Sequence, residues 1–332
     1  MKKKLFLLLA VTALAALIPA CSDLSSMRSD TPLLPVKEYE RMIVGRLDAD
    51  YVGNDACLAK CHAHDKIADD FHNSVHGAQV QVETGLPLVN CESCHGPGSL
   101  AIEKVQHDGD QCSSDRLLNL GNLPKQAQSL ICLKCHSASS TPVLTYWSGS
   151  THATSDVSCS DCHALHVGPQ QKVSRQEMAE LCFKCHQQVR MEFANFSHHP
   201  VPEHKVMCAD CHDPHGTAND KMLKGATTRQ VCTRCHMEYQ GPFVYEHADL
   251  TENCSNCHTA HGSPNEPLLE VGQPFLCLQC HAGHLGGNNH SARGSLSSRS
   301  MKEAFFSRCT DCHSAIHGTD IPSKSGGTFI AR

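Results

Sequence analysis

Nine copies of C-x-x-C-H and one C-x-x-x-C-H run through this chain from Cys57 to His313, and they use 20 of its 22 cysteines. The regular copies pair Cys91 with Cys94, Cys132 with Cys135, Cys159 with Cys162, Cys182 with Cys185, Cys208 with Cys211, Cys232 with Cys235, Cys254 with Cys257, Cys277 with Cys280 and Cys309 with Cys312. The histidine that follows each is His95, His136, His163, His186, His212, His236, His258, His281 and His313. The irregular copy is Cys57, Cys61 and His62. A shuffled chain with 22 Cys and 25 His in 332 residues would contain about 0.1 such motifs, so composition does not produce them.

Two thiols at this spacing reach the two vinyl groups of one porphyrin, and the next imidazole then lies under its iron. The motifs therefore read as ten covalently attached c-type haems, nine regular and one with altered thiol spacing. In that last one Cys57, Cys61 and His62 are read as holding a haem, against Cys61 and His62 alone or a structural pair. A zinc ribbon would also use C-x-x-C pairs, but it has no need of histidine directly after every second cysteine.

The motifs alternate between two types. One has an apolar residue before the first cysteine, as in Ile131 to His136, Leu181 to His186, Val231 to His236 and Leu276 to His281. A polar or mixed stretch such as Gln176 to Glu180 precedes it and suits a short helix. The other carries a second histidine three residues after the motif, at His166, His215 and His261, with His317 one residue further out in the last copy. Proximal histidines recur at 50, 50 and 45 residues in the first type and at 49, 46 and 55 in the second. A two-haem repeat of that length predicts an extended, quasi-linear haem array. The expected fold class is a multihaem cytochrome c of irregular loops and short α-helices with little or no β-sheet. With only 16 Phe, Trp and Tyr, porphyrin must supply much of the apolar bulk.

Fifteen histidines lie outside the motifs and are available as sixth iron ligands. Two per repeat gives His152, His166, His199, His215, His247, His261, His290 and His317, and His76 and His107 complete ten. His64, His72, His198, His204 and His284 compete, and which ring reaches which iron is left open. Two imidazoles per iron close both axial positions and favour low potentials. Such a chain transfers electrons and is not expected to be an enzyme. A nitrite or hydroxylamine reductase would need an open haem, often marked by C-x-x-C-K, which is absent. The net charge of −6, without long runs of one sign, gives no reason to expect nucleic acid as a partner.

Lys2, Lys3 and Lys4, an apolar run from Leu5 to Ile18, then Pro19, Ala20 and Cys21 make a signal peptide over 1–20 with a lipobox. Cys21 would carry the lipid anchor, residues 21–48 the tether, and 323–332 a tail. The expected location is the periplasmic face of the outer membrane. Cys112 is the remaining cysteine; it could partner Cys57 if the irregular site uses one thioether, and is read as an inert thiol.

The motif count, the chain length and the segments Tyr51-Val52-Gly53, Phe71 to Gly77, Cys91 to Ser99 and His199-Pro200-Val201 together resemble the MtrA/DmsE family of decahaem cytochromes. That resemblance implies two fused pentahaem halves, here 49–195 and 196–322. It implies a conduit from periplasmic donors through an outer-membrane β-barrel porin to a surface cytochrome or terminal reductase. The extra residue at Cys57 and the lipobox depart from the better-known members, and Leu100 stands where the family often has His.

Overall fold

The computed structural model describes residues 47–60, 62, 66–85, 88–105, 113–166, 174–247, 253–281, 308–311 and 313–321. The signal peptide, Cys21, Cys61, His64, His107, Cys112, His284, His290 and Cys312 lie outside them.

The two motif types differ because the first cysteine sits at opposite ends of a helix. In the first type it closes a helix. Cys132 is the last residue but one of Lys125–Leu133 and Cys182 of Arg175–Phe183, Cys232 ends Thr228–Cys232, and Cys277 is the last but one of Phe275–Leu278. The polar residues ahead of it supply the start. Ser174 caps its helix by accepting from the Glu177 amide, and Glu177 accepts in return from the Ser174 amide at 2.8 Å. Thr227 accepts from the Gln230 amide in the same way.

In the second type the first cysteine opens the helix, as in Cys91–His95, Cys159–Cys162, Cys208–Cys211 and the single turns Cys254–Asn256 and Cys309–Asp311. Here the third motif residue is the cap. Asp161, Asp210 and Asp311 reach back to the amides of Ser158, Met207 and Arg308, at 2.8, 2.8 and 3.2 Å. Asn256 and Ser93 replace aspartate in the other two, bonding Asn253 and Asn90.

Eight regular motifs close with a hydrogen bond from the histidine amide to the first cysteine carbonyl, at His136, His163, His186, His212, His236, His258, His281 and His313. This one turn orients the two thiols and the imidazole together. In the first motif the extra residue moves the closure to one residue further back, from His62 N to Cys57 O at 3.3 Å. That is a π-type turn, and it keeps the histidine directed against the same cysteine.

Regular structure beyond these turns is slight. Ser197–His198 pairs antiparallel with Gly262–Ser263, the only two-stranded sheet among the described residues. The apolar cluster is small: Ala179, Phe183, Phe193 and Val201, with Val189 and Val206 packed against it. Short helices, loops and one ribbon are the multihaem cytochrome fold expected from the sequence.

Chain contacts form two compact units, 1–171 and 172–332. The first holds four motifs and the second six. Division by equal haem count, at 195/196, would fall between Cys182 and Cys208, whose thiols hydrogen-bond within the second unit.

The start of the first unit is organised by one buried carboxylate. Glu92, 3 % exposed, accepts from the amides of Val52 and Gly53 at 2.9 Å and of Gly98 at 2.8 Å. Ser99 bonds Asp50 through its hydroxyl and its amide, and Asn54 accepts from the Cys91 amide at 2.8 Å. The segments at 51–53 and 91–99 are thereby one unit. Glu92→Gln is expected to lower the stability of this unit by roughly 2–3 kcal/mol, because a buried carboxylate holding several amides is replaced by a weaker acceptor. Thermal unfolding of the holoprotein followed by circular dichroism checks it.

Candidate haem sites

Successive motifs adjoin through their thiols. The first cysteines hydrogen-bond in five pairs: Cys57 with Cys91, Cys132 with Cys159, Cys182 with Cys208, Cys232 with Cys254, and Cys277 with Cys309. Each pair joins one motif of each type, apart from the irregular first. Between pairs the second cysteines are neighbours: Cys94 with Cys135, Cys211 with Cys235, and Cys257 with Cys280. The motifs thus follow one another without a gap inside each unit, four in the first and six in the second.

A shared proton splits three of the thiol pairs, Cys57 with Cys91, Cys132 with Cys159 and Cys232 with Cys254. The bond from Cys132 holds the Cys159 thiol down to about 6, and that from Cys232 does the same for Cys254, while Cys132 and Cys232 are pushed up.

Six proximal histidines each face a histidine from another part of the chain. In the first unit His136 faces His76 at 6.0 Å between ring centres, and His95 faces His166 at 5.9 Å. In the second, His236 faces His199 at 6.2 Å, His212 faces His261 at 6.2 Å, His281 faces His247 at 5.9 Å, and His258 faces His317 at 6.1 Å. Imidazole nitrogens bind a metal at about 2.0–2.1 Å and the ring centre lies roughly 1.1 Å behind the nitrogen, so two trans imidazoles on one ion have centres about 6 Å apart. The six pairs fit an iron between them.

The ring tautomers fit as well. Backbone carbonyls can only accept, so a ring bonded to one carries its proton on Nδ1 and leaves Nε2 as the ligand. His95 Nδ1 donates to Leu118 O at 2.9 Å, His212 to Lys221 O at 2.8 Å, His258 to Pro267 O at 2.9 Å, and His199 to Ala260 O. His261 Nδ1 donates to the Glu192 carboxylate at 2.8 Å. Burial moves His76, His166, His212 and His317 below the ordinary value of 6.5, which keeps them neutral, as a metal ligand must be.

The register is regular. The histidine after a second-type motif faces the proximal histidine of the second-type motif before it, as in His166 with His95, His261 with His212 and His317 with His258. The histidine ahead of a second-type motif faces the next first-type proximal histidine, as in His76 with His136, His199 with His236 and His247 with His281. In none of these pairs does the second ring face the histidine of its nearest motif.

Local packing sets these positions. Ser74 is buried, its hydroxyl bonding Phe71 O at 2.6 Å and accepting from Gly77 N, and a Cβ on Gly77 would sit 2.0 Å from Phe71 O. The tight turn so made presents His76. In the second unit the ribbon carries both His199 and His261, and a Cβ on Gly262 would lie 2.0 Å from Glu192 O. Of the competing histidines upstream of Cys208, His198 is committed at both nitrogens, to Asn195 O at 2.7 Å and Glu203 at 3.1 Å. These bonds raise its pKa, Glu203 contributing most.

Of the other expected distal residues, His152 lies in the helix Thr151–Thr154, and His215 has its Nδ1 3.4 Å from the Asp213 carboxylate. The described proximal residues also include His62, His163, His186 and His313. Glu192, Tyr239 and the carbonyl partners were not singled out from sequence. Only the loop return nine residues after His212 and His258 recurs in a way that repeats could have shown. Tyr239 packs between His236 and His317, with ring centres 6.4 and 4.3 Å away.

A model of the doubled CXXCH motif matches residues 152–191, 198–241 and 247–285, and one of cytochrome c554 and c-prime matches 101–164. The multiheme cytochrome MtrA of Shewanella baltica (strain OS185) is 36 % identical over 278 residues, covering 82 % of this chain and 80 % of the relative. The chain belongs to the MtrA family of multihaem cytochromes. It is an electron-transfer protein rather than an enzyme, and haem c is its cofactor.

The register predicts which haem each distal histidine serves. His261→Ala should produce one high-spin haem by electron paramagnetic resonance. That signal should vanish when Cys208 and Cys211 are also changed to serine, but persist when Cys254 and Cys257 are.

Proposed function

We propose that this chain is a decahaem conduit that carries electrons from periplasmic donors across the outer membrane, inside a β-barrel porin, to a surface cytochrome, a terminal reductase or an extracellular acceptor in anaerobic respiration. The observation that carries this is the unbroken adjacency of motifs within each unit, together with the paired imidazoles. Haem supplies one-electron chemistry at each position. The chain contributes thioether attachment, axial nitrogens and spacing.

Ten haems are proposed, at all ten motifs, with His62 and Cys57 and Cys61 holding the irregular one. The sixth ligands are His76, His107, His152, His166, His199, His215, His247, His261, His290 and His317. By haem count the chain divides into pentahaem halves at 49–195 and 196–322, with 323–332 as a tail. The signal peptide at 1–20 and its lipobox support export, lipidation of Cys21 and attachment to the periplasmic face of the outer membrane through a tether at 21–48. Among the described residues no helix is long and apolar enough to cross a membrane.

The lipobox also favours a second reading, a lipid-anchored periplasmic carrier or store without a porin. Purification from membranes in mild detergent is expected to bring down a large β-barrel protein in equal amount. Liposomes holding that complex should pass electrons from an enclosed reduced viologen to an external ferric chelate. A chain that repeatedly purifies alone, and liposomes that do not conduct, would leave the carrier. Cys21→Ala is expected to move the protein from the membrane to the soluble periplasmic fraction without changing its haem count by mass spectrometry.

A further inference from the structure

The ligand rings differ in what their outer nitrogen meets. His95, His199, His212 and His258 donate to neutral backbone carbonyls. His261 donates to a carboxylate, Glu192 Oε2, at 2.8 Å. Asp213 stands 3.4 Å from His215 and Glu238 3.7 Å from His236.

The Glu192 contact is built rather than incidental. Glu192 ends the helix Gln187–Glu192, and its backbone carbonyl accepts from Asn195 Nδ2 at 2.9 Å. Gly262, next to His261, allows the ribbon to approach that carbonyl more closely than any Cβ would permit. Phe193 lies beside the His261 ring, 5.4 Å between centres, and is itself buried. Helix end, ribbon and aromatic ring together fix the carboxylate on Nδ1.

A carboxylate accepting from Nδ1–H pulls the proton away from the ring and makes Nε2 a stronger donor to the metal. A stronger donor, with a negative charge behind it, stabilises the ferric over the ferrous ion and lowers the reduction potential. We propose that Glu192 is a positioning residue that acts through His261 to hold the haem attached at Cys208 and Cys211 at a lower potential than a carbonyl partner would give. This rests on His212 and His261 being the axial ligands of that iron. It makes that haem, the second in the six-motif unit, a step at which an electron is less favourably held.

The test compares the holoprotein with Glu192→Gln, Glu203→Gln and His261→Ala by spectroelectrochemical titration and electron paramagnetic resonance. Glu203 bonds His198, which is not placed on an iron, so it controls for charge alone. In E192Q one haem equivalent should titrate at higher potential and one low-spin signal should change its g values, with haem count and spin state unchanged. E203Q should leave every wave in place. An unmoved titration in E192Q, when H261A opens one haem, would overturn the proposal and leave the ligation standing. Equal shifts in E192Q and E203Q would overturn it as well, since the effect would then be diffuse charge. If H261A opens no haem, the ligation itself fails and the proposal with it. Should E192Q not mature, Glu192→Asp, which shortens the reach while keeping the charge, is expected to give the same upward movement and is judged by the same outcomes.

Discussion

A metal ion with imidazoles on opposite faces holds their ring centres about 6 Å apart, and much of this chain is arranged to meet that condition repeatedly. One imidazole comes with the attachment motif, because the closing turn from histidine amide to cysteine carbonyl brings it beneath the porphyrin. The other must arrive from elsewhere. In the six pairs seen here the second ring comes from a different repeat, so an iron held between the two would tie together segments that are remote in sequence. Cross-linking of this kind would substitute for an apolar core. The buried cluster of Ala179, Phe183, Phe193 and Val201 is small, and one of its two phenylalanines, Phe193, stands beside the His261 ring.

Pairing of motif types follows from helix polarity. A first cysteine at the end of one helix and a first cysteine at the start of another can bring their thiols into contact while their second cysteines point outwards to the next pair. Alternation of the two types along the chain is therefore the condition for an unbroken row. It also accounts for the compact units dividing between pairs, at 171/172, and not between equal numbers of motifs.

How much of the site could be read beforehand varies with distance along the chain. The capping role of Asp161 and Asp210, the helix ahead of Cys182, and the recurrence of His166, His215 and His261 are all local signals, since they lie within a turn or two of the motifs. Glu92 was visible only as a motif residue, because its partners at Val52, Gly53 and Gly98 are set by folding. His198 and His199 could not be ranked from sequence. Only the commitment of both His198 nitrogens to Asn195 and Glu203 separates them.

The sequence by itself determined the cofactor, the two motif types and the scarcity of regular structure, and it marks the cysteines and histidines expected to attach and ligate haem. Covalent attachment and the closing turn span five or six residues, and such short-range geometry is written directly in residue order. Tertiary structure decided which distal histidine faces which iron position, which carbonyl or carboxylate backs each ring, and where the chain divides into units. Those are conditions on distance through space. Several spare histidines lie within reach of any one motif along a flexible loop, and only the packing of Gly77 against Phe71, of Gly262 against Glu192, and of thiol against thiol selects among them.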